Sequence, residues 1–136
     1  MGGRGGIEWG EVNTSELYLI AAECAARAGD KATALERLNA LRDNRIEGNT
    51  PLDAADADEA LRLVLDERRR ELVFIDYLRL ADLKRLNREP AFARTITRTM
   101  MSTGETFELQ PNSPKYVLPI PASVMRFNSK MVQNER

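Results

Sequence analysis

With 136 residues, 43% of them hydrophobic and 30% charged, the chain can bury one core but is too short for two well-buried ones, so one compact unit is expected. A formal net charge of −1 provides no long-range field toward nucleic acid or an anionic membrane. No histidine and one cysteine remove most metal sites, histidine general-base catalysis and any internal disulfide, and no cofactor is expected.

Five of the first ten residues are glycine, so residues 1–13 read as a mobile leader or a cloning remnant, and residues 14–136 as a helical domain. Trp9, the single tryptophan, could stack on a sugar ring or partner, or cover core at the edge of the first helix. Thr14 or Ser15 can cap a helix that runs to Ala28 and stops at Gly29. Between Leu17 and Ala28 only Tyr18, Glu23 and Arg27 are neither small nor apolar, which predicts burial around most of the helix, Cys24 included. YLIAAEC superficially looks like the end of a lipoprotein signal, but Glu16, Glu23 and the lack of a basic leader argue against that. Glu23 can pair with Arg27 at i,i+4 or meet an arginine from elsewhere.

Asp30 caps a second helix to about Arg45, with Ala34, Leu35, Leu38 and Leu41 on its buried stripe. Two helices joined by Gly-Asp form an αα-hairpin similar to a tetratricopeptide unit. Residues 47–55 read as a loop, and Asp56 followed by Glu59 gives a capping-box start for a third helix. That helix leads into DERRRELVFIDYLRLADLKRL, residues 66–86, where Leu61, Val64, Leu65, Leu72 and Ile75 share one stripe with Arg68 in its middle. An arginine so placed is either ion-paired or snorkels to water; a solvated charged face is the other reading of such a run. The helix is expected to bend at residues 74–77, with a shorter one over 77–86.

After Pro90 two alternating runs, residues 95–100 and 106–109, predict a small β-hairpin. A Pro-rich turn, the extended YVLPIP of 116–121 and a helical turn over 122–126 complete the chain. The expected fold is thus mostly α: a tetratricopeptide-like αα-hairpin packed on a long helix, plus a short helix, a small β-hairpin and a Pro-rich irregular C-terminal segment. No apolar run approaches membrane-spanning length.

The order SELYLIAAECAARAGD, ALERLNALRDNR, DERRRELVF, RLADLKRLN, YVLPIP and MVQNER resembles the C-terminal portion of the SusD/RagB family, over nearly all of residues 15–136. The chain departs from the family in having Ile75-Asp76-Tyr77-Leu78, one residue longer, where a glycine usually follows ELxF. Family members are also several times longer and begin with a lipidated cysteine, so this chain looks like a C-terminal fragment.

The resemblance implies a lipoprotein facing outward from the outer membrane, acting as a lid on a SusC-like TonB-dependent transporter and holding oligosaccharide or another nutrient. It transfers no ligand-binding residue, because glycan-binding members grip ligand with aromatics in variable loops. Glu67, Arg68, Arg69, Arg70, Glu71 and Asp82 match the family motif and are expected, with Glu23, to form structural ion pairs.

Glu67 and Glu71 as glycosidase carboxylates are a poor reading, since both sit on one helix beside three arginines that hold carboxylates ionised and leave no proton donor. A tetratricopeptide-like adaptor is the alternative to uptake. Among aromatics, Phe74 and Phe92 are expected in the core and Tyr18 and Tyr77 within helices. Phe107, Tyr116 and Phe127 remain, with Trp9, as candidate ligand platforms. So few scattered rings predict weak or no oligosaccharide binding by this piece, and self-association through uncovered apolar surface.

Overall fold

Two residues, Gly29 and Asp30, set the arrangement of the first half of the molecule. In the computed structural model, which describes residues 13–75, 77–128 and 130–135, α1 (Thr14–Arg27) and α2 (Lys31–Asp43) meet at this pair. Gly29 adopts φ +83°, its N–H donates to Ala26 O and the Asp30 N–H donates to Ala25 O, the paired bonds that close an α-helix. The Asp30 carboxylate then accepts from the Thr33 N–H at 3.0 Å and caps α2. Hydrogen bonds from the Thr33 side chain and backbone hold the Asp30 carboxyl below its ordinary value. The reversal therefore needs no intervening loop.

At the other end of α1 the cap is Asn13, whose Oδ1 accepts from the Ser15 N–H, and not Thr14 or Ser15 as the sequence suggests. Helix α3 (Ala57–Glu71) starts at Asp56, which accepts from the Glu59 N–H at 2.8 Å while Glu59 reaches back to the Ala55 N–H at 2.6 Å. The connection from α2 to α3 is pinned by Asn39, whose side-chain amide accepts from Leu52 N–H and donates to Leu52 O, and by Lys31 on Ala54 O.

These three helices pack together around Leu19, Ala22, Leu38, Ala60 and Val64. The buried residues of α1 (Ser15, Leu19, Ala22, Glu23, Ala26) make one stripe. The rest of the helix does not follow the sequence expectation: Leu17, Ile20 and Cys24 are exposed. Helices α2 and α3 cover the Leu19–Ala22–Ala26 stripe of α1, and Leu17, Ile20 and Cys24 lie on the face left exposed. Cys24 is therefore expected to react with a thiol reagent in native buffer at close to the rate of the denatured chain. Slow labelling of the native protein would mean that this face is covered.

Phe74 ends the first half. It takes φ +68°, a left-handed conformation uncommon for a bulky residue, and its side chain is 97% exposed, where core packing was expected. A ring carried on a reversed turn cannot follow the α3 stripe inward. Contacts divide the chain here into two compact units, one ending at Phe74 and one beginning at Ile75, where composition suggested a single unit.

In the second unit α4 (Leu78–Leu86) is followed by the antiparallel pair β1 (Ile96–Thr99) and β2 (Thr106–Leu109). A 3₁₀ turn (Pro114–Tyr116) and the short α5 (Ala122–Phe127) follow. Ile96 pairs with Leu109 and Arg98 with Phe107, so these four residues share one face of the hairpin. Its loop closes at Gly104, φ +73°. The closing segment is tied back by side chains. Gln133 accepts from Ile120 N–H and donates to Ile120 O, and Asn134 donates to Leu118 O at 2.7 Å. Two amides thus take the place of a strand partner for the proline-restricted backbone. The fold is mostly helical with a small two-stranded sheet, as read from the sequence.

Candidate functional site

The acidic and basic residues of the central stretch are brought to one side of α3, where α1 and α2 supply partners. Arg68, with a side chain only 8% exposed, donates from Nη2 to Glu16 on α1 at 2.9 Å. Glu67, 9% exposed, accepts on one oxygen from Arg42 of α2 at 2.7 Å and from Arg70 at 3.0 Å. Glu71 accepts from both Nε and Nη2 of Arg45. Glu23 holds Arg27 at 2.8 Å one turn along α1. Arg69 is exposed and makes no ion pair among the described residues. Asp82 lies in the second unit, where Arg85 holds it at 2.8 Å.

Arg68 sits in the apolar stripe because its stem can lie beside Leu61, Val64 and Leu72 while its guanidinium reaches a carboxylate. The partners Glu16, Arg42 and Arg45 were not singled out from sequence. A signal was present: Arg42 and Arg45 follow the Leu38–Leu41 stripe of α2 by about one turn, which puts them at the edge of the face that meets α3. With Glu67 and Glu71 bound to arginines on neighbouring elements, this side of α3 joins it to α2 and to the segment that follows α2. No group of three or more His, Cys, Asp or Glu able to hold a metal occurs among the described residues.

The candidate ligand platforms separate. Tyr116 is 5% exposed, and its hydroxyl accepts from Asn87 Nδ2 at 3.0 Å, so the ring fills the interior of the second unit and presents no face to a ligand. Asn87 is itself buried: its Oδ1 accepts from the Arg94 N–H, and its backbone oxygen accepts from Asn112 Nδ2. Sequence reasoning missed this hub. Phe107 is exposed at the outer end of the hairpin opposite Arg98, and Phe127 is exposed on α5. Trp9 lies outside the described residues.

The model of the SusD family matches residues 2–136. The chain belongs to the SusD family. A solved SusD-like protein from Bacteroides fragilis NCTC 9343 is similar at 26% identity and a TM-score of 0.56, over 88% of this chain and 24% of that one. This SusD-family chain therefore spans about a quarter of that protein's length. No curated protein matches it. SusD-family proteins are in general outer-membrane-associated, non-catalytic lipoproteins that bind glycans for nutrient uptake and work with SusC-like transporters.

Proposed function

We propose that this chain is the C-terminal part of a non-catalytic, glycan-binding nutrient-uptake lipoprotein, held at the outer face of the outer membrane by the lipid anchor of the full-length protein and seated on a TonB-dependent SusC-like transporter. The observation that carries the reading is the family match over residues 2–136. The chemistry of the first unit agrees with it: its least exposed carboxylates, Glu23 and Glu67, are bound to arginines, the first within α1 and the second across α2 and α3, as in a structural ion-pair cluster. Ligand recognition then belongs to exposed groups of the second unit, Phe107 among them, and to the remainder of the full-length protein. No nucleic acid partner and no cofactor enter this scheme.

The alternative, a tetratricopeptide-like adaptor, draws on the exposed Leu17 and Ile20 of α1, a helix face open to a partner. Affinity purification of the full-length protein from detergent-extracted membranes separates the two. Co-purification of a TonB-dependent transporter, together with metabolic labelling by palmitate, is the expected result. Recovery from the soluble fraction, unlabelled and bound to a soluble protein, would favour the adaptor.

A further inference from the structure

One face of α4 was passed over in the sequence because Tyr77 was counted as part of the helix expected over 77–86. Tyr77 instead stands at the N-cap, 61% exposed, and begins an open cleft of about 420 Å³ lined by Tyr77, Leu80, Ala81, Lys84, Arg85 and Arg88. Positions 77, 81, 84 and 88 recur at helical spacing, so an aromatic ring, a small apolar floor and two cations follow one another along a single groove. The volume lies in the range of small-ligand sites, roughly 300–1,000 Å³, and the open form suits a chain that crosses the surface.

The cations are not equivalent. Arg85 holds Asp82, whereas Lys84 and Arg88 make no ion pair among the described residues. Cations in the last turn of a helix are favoured by its dipole, and that accounts for Lys84 and Arg85 taken alone. It does not account for an exposed tyrosine at the other end of the same groove above Leu80 and Ala81. A tyrosine face beside apolar carbon is what the C–H face of a sugar ring packs against, and lysine with arginine gives charge-assisted hydrogen bonds to a carboxylate or sulfate. The rise from Tyr77 to Lys84 is about 10 Å at 1.5 Å per residue, so ring and charge are engaged together only by a ligand longer than one sugar.

Resting on the saccharide-handling function proposed above, we propose that the α4 cleft binds an anionic oligosaccharide, its ring stacked on Tyr77 and its uronate or sulfate group held by Lys84 and Arg88. The net charge of −1 leaves the selectivity to this local pair and not to any overall field.

Calorimetric titration of the 136-residue chain tests it with four probes: trigalacturonate, a heparin-derived tetrasaccharide, maltotetraose and inorganic sulfate. In contrast to the weak or absent binding expected from the scattered rings alone, the expected result is binding of at least one acidic oligosaccharide, weakened by added salt, with the uronate and sulfated probes showing which anion is preferred. Lys84→Gln combined with Arg88→Gln, both exposed and so harmless to folding, should weaken that binding about tenfold or more. Tyr77→Ala should weaken it by a similar factor. Maltotetraose binding as tightly as the acids, unchanged in the double variant, would overturn the anionic assignment and leave the uptake function standing. Sulfate binding as well as the oligosaccharides would reduce the cleft to a charge patch and overturn it too. Absence of all binding would also overturn it, while the uptake function is judged separately by the transporter co-purification.

Discussion

Arg68→Ala is expected to destabilise the protein by about 3 kcal/mol, because breaking a buried ion pair strands the remaining charge. The guanidinium is 8% exposed and bridges α3 to Glu16 of α1, whose carboxylate is 18% exposed and would lose this donor along with the arginine's packing against the leucine stripe. For a unit of this size the loss should lower the thermal midpoint by about 12–24 °C. Arg68→Met should be milder, since it keeps an unbranched stem against Leu61, Val64 and Leu72. Adding Glu16→Ala to Arg68→Ala should recover part of the loss, and this coupling separates the ion pair from simple packing. A midpoint within about one degree of wild type for Arg68→Ala would mean that the guanidinium is merely solvated.

Asn87→Ala is the second change with a large expected effect. The side chain donates to the Tyr116 hydroxyl and accepts from the Arg94 N–H, both at 3.0 Å, in a residue that is almost fully buried. Truncation removes two hydrogen bonds at once and leaves a backbone donor without its acceptor, at a cost of about 2–3 kcal/mol. The second unit has few other fully buried residues to offset this, Leu78 and Tyr116 being the apolar ones. Amide exchange at Arg94 gives a local reading: slow in the wild type, fast in Asn87→Ala. Equal exchange rates in the two proteins would show that the Asn87 network does not hold this loop. Asn87→Asp, which keeps the acceptor and loses the donor to Tyr116, should retain protection at Arg94 better than alanine does.

Features decided within a few residues were legible in the sequence. The Gly29–Asp30 reversal, the Asp56–Glu59 cap and the hairpin strands over residues 96–99 and 106–109 each follow from local turn, cap or alternation chemistry. Features decided by what lies opposite were not. The residues of α1 look alike around its circumference, and only the positions of α2 and α3 determine that Leu19 is interior while Leu17, Ile20 and Cys24 face outward. That Arg68 sits on the stripe was visible; that Glu16 answers it depends on tertiary placement. Tyr116 looked like an exposed ring in an irregular segment because its partner, Asn87, is 29 positions away. Phe74 shows the same limit for backbone: a break between the two helices was expected at residues 74–77 and lies between Glu71 and Leu78, but nothing in the residue type of Phe74 announces its left-handed conformation.

The separation in sequence between Glu16 and Arg68 also bears on the order of assembly. Their pair spans 52 positions, whereas the α1–α2 reversal and the Gln133–Ile120 clip close within their own neighbourhoods. Local contacts form first because little loop entropy opposes them, and a helical hairpin can be in place before the third helix arrives. The bridge between α1 and α3 then belongs to the late contacts, made once most of the surface is already buried. Its strength sets how long the folded state survives before opening and leaves the speed of folding largely untouched.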